Sequence, residues 1–197
     1  MVCEYMNSEN ECQVGVDEAG RGCLLGPVVS ACVLWNPNTP CYDINDSKKI
    51  SRKKRNELRS YIEKNAIAYG IGYSSNDEID TYNILQATYK AMHRAIDDVM
   101  KHNHHVQHIL VDGDKFLPYG NIKHTCVIRG DQIYTNIAAA SILAKEYHDE
   151  WIRVNYPDDN KYSLLKNKGY GTLQHRNGIT KYGLTNHHRK TFCKKYY

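Results

Sequence analysis

The sequence predicts an α/β fold: a mixed five-stranded sheet flanked by helices, with a small helical C-terminal extension. Three observations predict it. Short β-prone apolar runs alternate with segments whose apolar residues recur at helical spacing. The order of these segments is β-β-α-β-α-β-β-α, which suits a layered sheet with helices on its faces. Acidic residues stand where the first and fourth of the β-prone runs end.

Taken in order, residues 13–17 read as a first strand through Val14 and Val16, and 26–35 as a second, apolar and bounded by glycine and proline. Pro37 and Pro40 mark a loop. Ser51 is placed to cap a helix over 52–65 with Leu58, Tyr61 and Ile62 facing inward. Residues 66–73 resemble a third strand. Ser75 or Asn76 then caps one long helix reaching about His102, with an inner face of Ile79, Ile84, Leu85, Tyr89, Met92, Ile96 and Val99. Short strands follow at 107–111 and 122–128, the first ending at Asp112-Gly113-Asp114. Gly130-Asp131 is a turn, and 134–151 a helix whose Ala138-Ala139-Ala140-Ser141 stretch allows close packing on a sheet. Residues 161–197 are polar, basic and punctuated by glycine, with room for short helices.

Length and composition agree with one domain. Of the 197 residues, 41% are hydrophobic and 24% charged, and no apolar run is long enough to span a membrane. Residues 1–11 read as a tail without the basic start of a secretory signal, and 12–197 as a single domain. The net charge of +4 permits a nucleic-acid partner without demonstrating one. Basic blocks at 48–55 and 187–195 read by themselves as solvated faces. The seven cysteines show no zinc-knuckle spacing and read as free thiols in a reducing, cytoplasmic setting. The excess of tyrosine, 16 against 2 phenylalanines, is explained most simply by composition bias. His102, His104, His105 and His108 invite a metal reading but sit at a helix end that looks solvated.

The chemistry concentrates in Asp17-Glu18-Ala19-Gly20-Arg21-Gly22. Adjacent carboxylates at a strand end repel and favour a neutralising cation. The glycines let backbone approach a ligand, and Arg21 offers a planar fork suited to phosphate. Asp112 and Asp131 occupy comparable places, and strand ends are rigid mounts on which acids can converge. Hard oxygen ligands suit Mg²⁺ or Mn²⁺, and a pair of such ions about 4 Å apart supports hydrolysis of a phosphodiester. The competing structural reading has Asp131 capping a helix and Asp112-Gly113 closing an ordinary turn.

These residues resemble ribonuclease HII, the type 2 branch of the ribonuclease H family. The matching blocks are Val14 through Gly22 with Gly26-Pro27-Val28, then Asp46-Ser47-Lys48-Lys49, Val111-Asp112-Gly113, and Gly130-Asp131 with Ile137 through Lys145. Gly169-Tyr170-Gly171-Thr172 with His175, and His188-Arg189-Lys190-Thr191-Phe192, complete the series in the family's order. The chain departs from the pattern at His148, where the family usually has arginine, and at Asp114, which reads as a surface turn residue.

The resemblance implies a ribonuclease-H-like sheet, cleavage of RNA in RNA/DNA hybrids, and incision 5′ of single ribonucleotides in duplex DNA, leaving 5′-phosphate and 3′-hydroxyl ends. It implies two divalent ions, Mg²⁺ or Mn²⁺, on Asp17, Glu18, Asp112 and Asp131 as catalytic ligands. It implies a ribose-sensing turn at Gly20, Arg21 and Gly22 working with Tyr170, and phosphate contacts from Ser47, Lys48, Lys145 and Arg189. His175 is linked to the motif with a structural or a catalytic role open. Residues 161–197 are expected to complete the substrate groove. The expected partners are RNA/DNA hybrid and ribonucleotide-containing duplex, with a monomeric protein and no Gln-initiated clamp motif before Tyr196-Tyr197. Ribonuclease HIII fits less well, because the stretch before Val14 is short, Arg21 is present and the fourth acid is Asp131. A hybrid-binding module without activity is the remaining alternative, disfavoured by the presence of all four acids.

Overall fold

A computed structural model describes residues 12–41, 44, 50–101 and 105–197. Five strands form one sheet: β1 (Gln13–Ala19), β2 (Val28–Leu34), β3 (Ala68–Ser74), β4 (His108–Asp112) and β5 (Lys123–Val127). Their spatial order is β3-β2-β1-β4-β5. β1, β2 and β3 pair antiparallel, while β1-β4 and β4-β5 are parallel. The helices are α1 (Arg52–Asn65), α2 (Asn76–Tyr82), α3 (Ile84–Met100), α4 (Thr135–Asn155), α5 (Leu164–Asn167), α6 (Leu173–Tyr182) and α7 (Lys190–Cys193), with a 3₁₀ turn at Gly130–Gln132.

Strand alternation distributes the core to two faces. Val14, Val16, Cys32, Leu34, Ile109 and Val111 pack with Met92, Ile96 and Val99 of α3. Ala31 and Val33 face the other way, onto α1 and the small residues of α4. Gly15 takes its place on that second face for a steric reason. A Cβ there would sit 2.3 Å from the backbone of Asn136 and Ile137, so only glycine lets α4 lie this close to β1. Leu24, Leu25, Ile152, Tyr162, Leu164 and Ile179 form a smaller core that attaches the C-terminal helices to the end of α4.

The fold is the α/β arrangement expected, and α1 has the boundaries read from the sequence. The long helix expected from residue 75 to about 102 is two helices. Asn83 adopts φ +70 and its side chain accepts from the N–H groups of Leu85 and Gln86, so it ends α2 and caps α3. This positive-φ, extended conformation breaks the helix, and the asparagine side chain supplies the acceptor a new helix start needs. Among the cysteines, Cys12, Cys23, Cys32, Cys126 and Cys193 are free. Cys41 is disulfide-bonded, which corrects the expectation of free thiols throughout. No helix among the described residues is long and apolar enough to cross a membrane.

Candidate active site

Parallel register and strand alternation bring Asp17 and Asp112 together. Val16 of β1 pairs with Val111 of β4, so the next residue on each strand is an aspartate. Gly15 and Leu110, two residues before them, both face α4: Gly15 against its backbone, Leu110 against Tyr134 and Ile137. A period of two puts Asp17 and Asp112 on that same face, on neighbouring strands about 5 Å apart. Asp112 is half-buried, and its Oδ1 accepts the Gly130 N–H at 2.7 Å, which ties β4 to the 3₁₀ turn carrying Asp131. Asp131 is buried within that turn. The N-cap of α4 is instead Tyr134, without a side-chain cap bond, so the helix-capping alternative for Asp131 is not realised.

The electrostatics mark Asp17 as a strained anion. Burial, followed by the carboxylates of Glu18 and Asp112, pushes its pKa well above the ordinary range. The Glu18 N–H, donating to Oδ1 at 2.6 Å, and the Ser141 side chain work in the opposite direction. Glu18 is half-buried and receives the Arg21 guanidinium at 3.1 Å, although Arg21 itself is exposed. Among the described residues no three His, Cys, Asp or Glu side chains are drawn in to ligating distance of one point. The donor set nevertheless fits a hard cation. It is all oxygen, it is mounted on two adjacent strands and the 3₁₀ turn tied to one of them, and its central carboxyl is destabilised by the charges a divalent ion would neutralise.

The Gly20-Arg21-Gly22 turn follows directly. Gly20 has φ +88, and a Cβ there would lie 2.5 Å from the His148 ring. His148 is fully buried; its Nε2 lies 3.6 Å from Cys23 Sγ and its Nδ1 3.3 Å from Asp149. The residue that departs from the family pattern therefore packs beneath the turn, and burial lowers its pKa. Tyr170 lies across from the turn, since Cys23 and Tyr170 form an antiparallel bridge. A Cβ on Gly22 would be 3.8 Å from Tyr170 Cε1. Tyr170 is 39% exposed, and burial of the remainder raises its hydroxyl pKa to about 12. Lys145 Nζ lies 5.6 Å from the centre of that ring and pairs with Asp149 at 2.7 Å, leaving a cation beside the tyrosine.

Arg189 needs correction as a phosphate contact. It is 0% exposed, and its guanidinium donates to four carbonyl oxygens: Gly26 at 2.9 Å, Arg21 at 2.8 Å, Gly20 at 2.8 Å and Pro27 at 2.9 Å. A buried fork occupied by backbone holds the turn from below and cannot reach a nucleic acid at the surface. Ser47 and Lys48 lie outside the described residues, as do His102 and His104. His105 is exposed, whereas His108 is a core histidine bonded to Gln13 at 3.2 Å and Thr125 at 2.9 Å. Asp114 is exposed, as a turn residue should be. Ser141 was not singled out by the sequence, although it stands one helical turn beyond Ile137 on the face that meets Asp17.

Comparison with known proteins agrees with this layout. Residues 14–196 match the family model described as Ribonuclease HII. Ribonuclease HII of Parabacteroides distasonis is 47% identical over 195 residues, covering 98% of this chain and 94% of that protein. The fold is shared with the ribonuclease H2 of Pyrococcus horikoshii OT3, with TM-score 0.77 at 22% identity, covering 93% of this chain and 96% of that one. It is also shared with Bst-RNase HIII, crystallised in complex with Mn²⁺, with TM-score 0.75 at 17% identity over 94% of this chain and 69% of that one. The chain belongs to the ribonuclease HII family, endonucleases that degrade the RNA of RNA/DNA hybrids.

Proposed function

We propose that this protein also incises duplex DNA 5′ of single embedded ribonucleotides, leaving a 5′-phosphate and a 3′-hydroxyl, with Asp17, Glu18, Asp112 and Asp131 holding two divalent ions. The observation that carries the reading is the juxtaposition of two features. Asp17 and Asp112 share one face at adjacent strand ends, and the glycine turn that follows Asp17 faces Tyr170. Bound Mg²⁺ or Mn²⁺ would supply Lewis acidity and an activated water at neutral pH; Bst-RNase HIII takes Mn²⁺.

The chain's own residues do the rest. Backbone groups of Gly20, Arg21 and Gly22 sense the 2′-hydroxyl, which both donates and accepts. Tyr170 packs against the neighbouring sugar and keeps the ribose seated on the turn. Lys145 and Arg21 contact phosphates, as do Ser47 and Lys48, positioning the duplex without reading sequence. Residues 161–197 complete the groove by carrying Tyr170. The protein acts as a cytoplasmic monomer.

The test is cleavage of duplex DNA holding one ribonucleotide, with Mg²⁺ and Mn²⁺ supplied separately. Asp17→Asn and Asp112→Asn should each reduce turnover at least a thousandfold while the folded structure and hybrid binding persist. Tyr170→Ala should reduce cleavage at the single ribonucleotide with little loss of stability. Near-normal turnover in both aspartate variants would refute the assignment.

A further inference from the structure

Beneath the turn and Tyr170 lies a pair of buried histidines that no step above uses. His175 and His188 are both 0% exposed, and their Nε2 atoms are 3.1 Å apart. Their protonation pattern follows from a fixed donor at one end. The backbone N–H of Thr185 donates to His188 Nδ1 at 2.8 Å, so that nitrogen carries no proton. Neutral His188 must then hold its proton on Nε2 and donate to His175 Nε2. His175 in turn carries its proton on Nδ1, which faces the Tyr170 carbonyl at 3.0 Å. One direction of donation thus runs from Thr185 to Tyr170.

The same segment reaches the glycine turn. Residues 23–26 lie between two backbone neighbours: Leu24 N–H donates to Gly169 O at 2.8 Å, and Arg189 N–H donates to Leu24 O at 2.8 Å. Leu25 and His188 form an antiparallel bridge. Arg189, next in sequence to His188, holds the carbonyls of Gly20 and Arg21. Residues 188 and 189 therefore grip both halves of the ribose site.

We propose that His188 and His175 are positioning residues, a hydrogen-bonded relay of fixed tautomers that sets Tyr170 against the Gly20–Gly22 turn and so determines how well a single ribose is recognised. The inference rests on the reading that Tyr170 and the turn sense ribose. Burial supports the neutral state of both rings, lowering the pKa of His175 and taking that of His188 to about 4. A proton added to the shared Nε2–Nε2 contact would set two donors against each other.

His175→Phe keeps the ring volume and removes the donor to Tyr170, whereas His175→Asn places an amide N–H near the position of Nδ1. The relay predicts that His175→Phe lowers kcat/KM on duplex with one ribonucleotide at least tenfold, and that His175→Asn recovers to within threefold of wild type. Equal activity in wild type and His175→Phe, or equal loss in both variants, overturns it. Tyr170→Ala is assayed alongside: if that variant cleaves normally, the ribose-reading assignment itself has failed, whereas impaired Tyr170→Ala with normal His175→Phe refutes the relay alone. Should His175→Phe not fold, the tautomers of the wild-type protein decide by ¹⁵N histidine spectroscopy. Protons on His188 Nε2 and His175 Nδ1 support the relay, and a His175 proton on Nε2 overturns it.

Discussion

Arg189→Met separates the two roles an arginine at this place could have. The guanidinium makes four charge-assisted bonds to carbonyls of Gly20, Arg21, Gly26 and Pro27, each 2.8–2.9 Å long. At about 1.5 kcal/mol each, these contribute about 6 kcal/mol gross. Burying the charge costs part of that. Desolvation pulls the Arg189 pKa down from its ordinary value to about 10, equivalent to about 3 kcal/mol. Methionine fills the space without the charge, so the net loss should be about 3 kcal/mol, or roughly 6–12 °C in Tm for a chain of this size. Urea unfolding measures the first effect. Cleavage of a single-ribonucleotide duplex against salt concentration measures the second. A backbone tie predicts lower stability and lower cleavage with an unchanged salt slope, because no phosphate contact has been removed. A phosphate contact predicts unchanged stability and a slope shallower by about one. Full stability with a shallower slope would refute the assignment of Arg189 to the turn.

Other perturbations reach different parts of the argument. Gly15→Ala should cost roughly 3 kcal/mol, because its Cβ would meet the backbone of Asn136 and Ile137 at 2.3 Å; a midpoint in urea unchanged from wild type would contradict the close packing of α4 on β1. Asp17→Asn should raise the thermal stability of the metal-free protein while abolishing cleavage, since it removes a carboxylate destabilised by burial and by Glu18 and Asp112; a lower Tm would argue against that repulsion. Acid should weaken the C-terminal unit. His188 is held at about 4 against 6.5 in the unfolded chain, so between those values the unfolded state binds more protons. Its contribution is complete above about pH 6.5 and is lost toward pH 4, on the order of 3 kcal/mol. Urea midpoints measured from pH 7.5 to 4.5 should fall in wild type and fall less in His188→Gln; parallel curves would refute the linkage.

Much of the site was legible because strand ends announce themselves. Val14 and Val16 alternate with a glycine and then an aspartate, and Val111-Asp112-Gly113 repeats the same grammar, so local pattern placed Asp112 at the end of its strand, while β1 runs two residues past the expected end at Asp17, to Ala19. That they meet depended on parallel pairing of β1 with β4, a long-range fact that the motif blocks supplied only through resemblance. The break at Asn83 was missed because the apolar spacing of Ile79, Ile84 and Leu85 continues through it; the deciding feature was one side chain bonding its own following amides. Arg189 was misplaced for a different reason. A basic block near the end of a chain reads as solvated, and nothing local reports that Arg189 inserts under a turn 169 residues earlier, with its neighbour Lys190 exposed. His175 and His188 were visible as motif residues, but tautomers are set by partners across the fold.

The tie between residues 20–27 and 188–189 also orders events during synthesis. The β1–β2 hairpin and its two adjacent acids are made first, yet the bend that follows them has no buried guanidinium beneath it until Arg189, 168 residues after Arg21, has been made. On the function proposed above, a molecule lacking residues 188 and 189 would keep Asp17, Glu18, Asp112 and Asp131 but not the support beneath the Gly20–Gly22 turn, so its discrimination of ribose would fall while its acids remained.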